Sequence, residues 1–306
     1  MLVFLARRLM QLVPVVLGVS LIVFLMIHVI PGDPAQLIAG PEATPADIEV
    51  VRTSLGLDRS LPVQYLTFLG KAVTGDFGQS FRTGRPVIEE IGARYWNTLA
   101  LGCVAMVFGT VLGLAIGVVT AVYRGTWIDN AVLGVSLLGI SAPSFFLGIL
   151  LMLLFSVSLQ WLPLTGMGSW QNFIMPGLTL GIPNAAVIAR MARTSLLEVL
   201  QQDYVRTAQA KGLAGPVVVL RHALRNALIS VVTVVGLQMG YLLGGAVVTE
   251  TVFAWPGIGR LLIQSISSRD FPVVQASVLI LALTFVMITL MTDVLYRLVD
   301  PRIEIK

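Results

Sequence analysis

Few residues in this chain are of a kind that could do covalent chemistry. His28 and His222 are the two histidines among 306 residues, too few and too far apart for an HExxH zinc site or for a serine with its imidazole base. Gly18-Val19-Ser20 and Gly134-Val135-Ser136 resemble nucleophile contexts, but in apolar helices small residues of this kind are better explained by close helix packing. The single Cys103 lies in an apolar run and has no disulfide partner in the chain. No GxxxxGK[ST] loop is present, so the chain cannot cradle ATP phosphates in that way. Ionisable groups within membrane spans are the usual mark of proton or sodium coupling. The spans of this chain hold none, because Glu250 and Asp293 fall at span ends, where a solvated interfacial carboxylate is expected, and His28 also lies at an end. Sodium sites made from backbone carbonyls at broken helices escape that argument. A self-sufficient ion-coupled carrier therefore stays open, and a membrane-embedded enzyme has no residue set to support it.

The most informative polar stretch is Asp203 to Arg225, DYVRTAQAKGLAGPVVVLRHALR. Tyr204, Thr207, Ala208 and Lys211 follow helical spacing, Gly212 is suited to a left-handed stop, and Gly215-Pro216 can open a second helix. Thr207, Ala208 and Ala210 are small enough to let a partner surface come close, with Arg206 and Lys211 as electrostatic anchors. An amphipathic helix lying on lipid headgroups explains the same residues equally well.

The elements that position these residues follow from hydropathy. With 56% hydrophobic and 12% charged residues and a mean hydropathy of +0.89, the chain is too apolar for a soluble domain of its size. A span needs about 20 apolar residues, and five tracts qualify: Leu9 to Ile30, Trp96 to Tyr123, Asn130 to Ala189, Asn226 to Thr249 and Phe271 to Thr292. The third is long enough for two spans, divided by a polar, turn-rich break between Gln160 and Asn172, so six are expected. The first tract is too long for a secretory h-region and lacks a small-x-small cleavage site, which makes it an uncleaved span.

Orientation follows from the basic residues. With the N-terminus inside, Arg7, Arg8, Arg124, Arg190, Arg193, Arg206, Lys211, Arg221, Arg225, Arg297, Arg302 and Lys306 are cytoplasmic, and the short external loops hold Arg260 and Arg269. Both termini are then cytoplasmic in an inner membrane. Arg82, Arg85 and Arg94 lie in the external segment, which is long enough to translocate regardless of charge. Three parts are expected: residues 1–30 with the first span, an external segment over 31–95, and a five-helix core over 96–306 with a cytoplasmic loop near 196–225. In the external segment, Thr44-Pro45-Ala46-Asp47 reads as a helix start and Gly56 as its stop, so a small folded cap is expected. Trp255-Pro256-Gly257 reads as a rigid turn, and an ordinary re-entrant connection accounts for it equally well. Ser141, Pro143, Asn184 and Gln238 are polar or kink-forming positions within apolar tracts. They are candidates for a translocation pathway and equally for interhelical hydrogen bonding or a bend.

The stretch at Asp203 resembles the coupling loop of permease subunits of ATP-binding-cassette importers, whose pattern is EAA, three residues, then G. Arg206-Thr207-Ala208 stands at the EAA position and Gly212 at the glycine. Asp203, Tyr204, Arg206, Thr207, Ala208, Ala210, Lys211 and Gly212 match the form DYxRTAxAKG of the peptide-importer branch, while Ser230 stands where that branch tends to have proline. The likeness continues through PGDPAQLIAGPEA from Pro31, GDFGQS from Gly75, LRHALRNAL from Leu220, GLQMGYLLGGAVVTETVFAWPGIGRLL from Gly236 and RDFPVVQA from Arg269. It is strongest to the first of two permeases in dipeptide, oligopeptide or glutathione importers. PGDPAQLIAGPEA, SWQNFIMPGLTLG from Ser169 and DYVRTAQAKGL are most similar to glutathione permeases. The resemblance implies an all-α type I importer permease (MetI-like) fold of six transmembrane helices with an external segment between the first two. It further implies a second, similar permease, two ATPase subunits that bind ATP and magnesium, an external substrate-binding protein, and no cofactor in this chain.

Overall fold

The computed structural model describes residues 2–29, 34–39, 43–54 and 56–299. Helix α1 (Leu2–Val29) is followed by three short helices, α2 (Pro34–Ala39), α3 (Pro45–Ser54) and α4 (Leu61–Val73). Next come α5 (Val87–Val122), α6 (Trp127–Ser141), α7 (Ser144–Leu151) with a π-helical continuation over Met152–Ser158, and α8 (Ile174–Leu200), which a 3-10 turn precedes. The last elements are α9 (Asp203–Ala210), α10 (Gly215–Val217) with π-helical turns to Ala223, α11 (Leu224–Val252), α12 (Ile258–Ser267) and α13 (Phe271–Val299). Among the described residues, α1, α5, α8, α11 and α13 contain segments long and apolar enough to cross a membrane.

The sixth expected span is built differently. Pro143 forces the preceding residue away from helical geometry, so the apolar run is divided into α6 and α7, with Pro143 itself extended at φ −57°, ψ 136°. A second correction concerns α5, which begins at Val87, nine residues ahead of its apolar tract. The residues added at its start include Glu89 and Glu90 in the first turn, where acids favour a helix N-terminus.

The chain forms two compact units, one of Met1–Tyr95 with Leu261–Thr284 and one of Trp96–Arg260 with Phe285–Lys306. In the first, α1 packs on α4 through Phe24, Tyr65 and Phe68, and Ser20 Oγ shares a 2.9 Å hydrogen bond with Tyr65. The small-residue reading of Gly18-Val19-Ser20 fits this contact. The helix start at Thr44 is as expected: its backbone and hydroxyl both donate to Asp47, at 2.9 and 2.7 Å. These donors, the hydroxyl first, hold the Asp47 carboxyl below its ordinary range. Gly56 closes the segment at φ +67°.

The second unit is organised around α8. Lipid offers no hydrophobic drive for helices to associate, so close backbone approach must supply the stabilisation. Gly109, Gly113 and Gly117 place a glycine every fourth residue on α5. A Cβ at Gly113 would lie 2.7 Å from the Ala185 carbonyl and 2.8 Å from Ile188. With α5 and α11, α8 shares a core that includes Leu101, Leu180, Ile188, Val231, Leu242 and Ala246.

Candidate functional site

Helix α9 is short and polar on most of its surface. Gln202 is extended ahead of it and Asp203 lies in its first turn, where a negative charge favours the helix N-terminus. The stop is Gly212 at φ +78°, whose amide donates to the Gln209 carbonyl at 2.9 Å. Val205 and Ala208, three residues apart, turn inward onto Val218 with Val199 and Leu200 around them. Ala208 therefore belongs to the anchor of α9, which corrects its expected place on a partner-facing surface. Asp203, Tyr204, Arg206, Thr207, Ala210 and Lys211 are exposed. The Arg206–Asp203 pair, at 3.9 Å and largely in solvent, stabilises the helix little. Tyr204 is held by Asn226, whose amide donates to the phenolic oxygen at 2.6 Å. The result is a preformed polar ridge fixed to the body by two small apolar side chains.

Of the four candidate pathway residues, two are brought together. Gln238 Nε2 on α11 donates to Asn184 Oδ1 on α8 at 2.8 Å, and Asn184 Nδ2 donates to the Leu180 carbonyl at 2.6 Å. With Asn184 buried, this geometry is that of an interhelical hydrogen bond. Pro143 is exposed at the α6–α7 break, and the side chain of Ser141 lies outside the described residues.

Glu250 departs from the sequence expectation. It is 0% exposed and not a solvated interfacial carboxylate. Thr98 Oγ1 donates to its Oε1 at 2.6 Å, and the Arg260 amide donates to Oε2 at 3.1 Å. The Thr98 hydroxyl in turn accepts from the Ile258 amide at 2.8 Å. These amides belong to the first turn of α12, whose free N–H groups suit an anion. A Cβ at Gly257 would collide with the Glu250 carboxylate, and one at Gly259 would come within 2.9 Å of it. Both glycines are thus required by the close approach.

The same turn is closed by Trp255, which is fully buried. Its indole N–H donates to the Asn97 carbonyl at 3.0 Å, Asn97 Nδ2 donates to the Pro256 carbonyl at 2.8 Å, and Phe173 meets the ring edge-on at 4.5 Å. Arg260 Nη1 donates to the Ala254 carbonyl at 2.6 Å, and Ala254 adopts φ +50°. The rigid turn is as read from Trp255-Pro256-Gly257. Its partners Asn97, Thr98 and Glu250 were not found from sequence, although an acid closing an apolar helix followed by Gly-Ile-Gly was the available signal.

A third polar cluster also escaped sequence reasoning. Arg193 on α8 grips Asp129 bidentately through Nε at 2.9 Å and Nη2 at 2.7 Å, and the Gly125 amide donates to the same carboxylate at 3.0 Å. Asp129 precedes the apolar tract that opens at Asn130. The Arg193 guanidinium, followed by the Gly125 amide, holds its carboxyl below the usual range.

Long apolar helices, an interrupted apolar run over α6 and α7 and a short exposed helix between two spans are the build of a multi-pass membrane protein. Family models agree: residues 113–305 match the binding-protein-dependent transport system inner membrane component, and residues 1–102 match the N-terminal part of such components. The chain belongs to this family and is a permease subunit of an ATP-binding-cassette importer of the inner membrane. Its family members lack an ATPase site, and nucleotide and magnesium are borne by partner subunits. The chain is 50% identical over 306 residues, all of both chains, to the glutathione transport system permease proteins GsiC of Escherichia coli strain K12 and of Salmonella typhi. Among solved structures, the inward-facing MetNI methionine transporter superposes with a TM-score of 0.60 at 22% identity, over 69% of this chain and 96% of that one. An amino acid ABC transporter gives 0.51 at 18% identity, over 70% and 94%. The structural matches speak for the fold alone.

Proposed function

We propose that this chain forms one half of the membrane pathway of a glutathione or small-peptide importer, with both termini cytoplasmic and α9 as the surface on which an ATPase subunit acts. The observation that carries the mechanical part is the build of α9: a polar ridge, exposed from Asp203 to Lys211 except at Val205 and Ala208, with the anchor touching Val199 and Leu200 at the end of α8. A push on the ridge is delivered to α8, and through the α8–α11 core to two spans at once. That is what conversion of ATPase closure into outward and inward access needs. The substrate class is supported by full-length identity to the glutathione permeases, and the orientation by the charges around α1 and α9. A second permease, two ATPases and an external binding protein complete the complex in this reading.

The test is uptake of labelled glutathione into vesicles holding the chain with its second permease, its ATPases and its binding protein. ATP-dependent uptake, lost when the ATPases are left out, is the expected result. Uptake at full rate without ATPases, driven by an imposed ion gradient, would refute the reading. A cysteine placed at Thr207 should cross-link to the ATPase in the assembled complex.

A further inference from the structure

Where α1 ends, at the opposite end from Arg7 and Arg8, an open cavity of about 180 Å³ lies between α1, the turn at Gly56–Arg59 and α4. Its lining is mixed in chemistry. Phe24, Ile27 and Phe68 contribute apolar lining, and Arg59 and Lys71 contribute two cations to the same cavity. Neither cation forms an ion pair with a carboxylate among the described residues, unlike Arg52, Arg85 and Arg94, which pair with Glu49, Glu89 and Glu90.

The polar lining is constructed rather than incidental. Gln64 donates from Nε2 to the carbonyls of Leu57 and Arg59, at 3.3 and 2.8 Å. That fixes the amide so that its oxygen accepts from His28 Nε2 at 3.1 Å. The single glutamine ties the turn that carries Arg59 to the last turn of α1, while Gln275 donates to the Val23 carbonyl at 3.0 Å on another wall.

Helix α4 indicates the surroundings of this cavity. Its 13 residues span only about 20 Å, too little to cross the roughly 30 Å hydrocarbon core. Even so, Leu66 and Val73 are 66% and 87% exposed, on the side turned away from the aromatic contact with α1. A helix apolar on its outer face and tipped with Lys71 suits the boundary between acyl chains and headgroups, with the lysine reaching outward.

We infer that this cavity is a binding site for an anionic phospholipid: Arg59 and Lys71 hold the phosphodiester, and the first part of an acyl chain lies along Phe24, Ile27 and Phe68. Phosphate oxygens suit both cations, and the apolar side chains of Phe24, Ile27 and Phe68 line the same cavity. A soluble phosphate would satisfy the cations and leave those side chains unused.

The experiment uses the full chain in phosphatidylcholine bilayers doped with phosphatidylglycerol, with lipids that remain bound after extraction counted by native mass spectrometry. Retained phosphatidylglycerol is expected on the wild type. It should fall roughly thirtyfold in Arg59→Gln/Lys71→Gln, since each basic residue beside an anionic lipid contributes on the order of a fivefold preference. Arg59→Lys/Lys71→Arg should keep it, and Arg85→Gln, outside the cavity and paired with Glu89 in the wild type, should leave it unchanged. Equal retention by the double glutamine variant overturns the site. Displacement of the lipid by inorganic phosphate at comparable concentration assigns a soluble anion instead and overturns the lipid. Retention by the isolated chain that disappears in the assembled importer shows a protein partner covering the cavity and likewise overturns it.

Discussion

Two polar segments adjoin the long helices of the second unit, and they use their polar groups in opposite ways. In α9 the charged and hydroxylic side chains face solvent and only Val205 and Ala208 turn inward. In the turn from Glu250 to Arg260 the carboxylate and the indole are both fully enclosed. An acidic side chain beside a long apolar helix can therefore follow either course. What decides is the supply of donors nearby. At Glu250 the chain reverses within a few residues into α12, whose unpaired amides, with the Thr98 hydroxyl, meet the carboxylate. At Asp203 the same kind of helix start carries its acid outward, where water satisfies it.

The largest effect expected from this contrast is at the enclosed turn. Gly257→Val drives a side chain into the Glu250 carboxylate, and valine has no flexible route out of the collision. Glu250→Ala leaves the Arg260 amide and the Thr98 hydroxyl without their acceptor. Each unsatisfied buried group costs about 1–3 kcal/mol, so a loss of roughly 3 kcal/mol is expected from that substitution and more from the valine. Thermal unfolding of the purified protein in detergent measures both. Asp203→Ala should shift the midpoint far less. If the two alanine variants unfold at the same temperature, the difference between an inward and an outward carboxylate has no energetic content.

The contrast also separates what was legible in the sequence from what was not. The helices, the Thr44–Asp47 start and the Gly56 and Gly212 stops rest on hydropathy and backbone rules, which act over a few residues, whereas Pro143 was legible only as a possible bend and not as the full division of its span. The start of α5 at Val87 was missed because a nine-residue stretch of mixed polarity joins a helix that hydropathy alone begins at Trp96. Glu250 was misread because its partners are Thr98, 152 residues away, and amides that bear no sequence identity. Asp129 and Arg193 are 64 positions apart and carry no joint signature. Ala208 was placed on the wrong side because helical spacing identifies residues that share a face and leaves open which face is buried. Asn184 and Gln238 were identified as polar positions in apolar spans, and only their 2.8 Å contact shows that they satisfy each other.

A smaller effect on stability, with a large one on transport, is expected at Gly212→Val. Open space surrounds the position, so no collision arises, but φ +78° is a conformation that a β-branched residue strongly disfavours. The penalty is roughly 1–2 kcal/mol if the turn persists, and less if α9 simply extends past Lys211. Membrane insertion and the unfolding midpoint should stay near wild type, while ATP-dependent uptake falls at least tenfold. Equal uptake would remove α9 from the coupling path and leave the polar ridge as a headgroup-facing surface.

Asp129 supplies the intermediate case, an enclosed carboxylate whose main partner is a full positive charge rather than neutral donors. Because Arg193 depresses its folded value below the ordinary carboxylate value of about 3.9, the sign of the pH dependence is fixed. The contribution of the ionised form is complete above the unfolded value and disappears as pH falls through the depressed folded value. Wild type and Asp129→Asn should therefore differ in unfolding midpoint at neutral pH, and the gap should narrow on acidification below the usual carboxylate range. A gap that stays constant through that range would mean that Asp129 acts through shape and neutral hydrogen bonds, as the close fit around Glu250 does, and not through its charge.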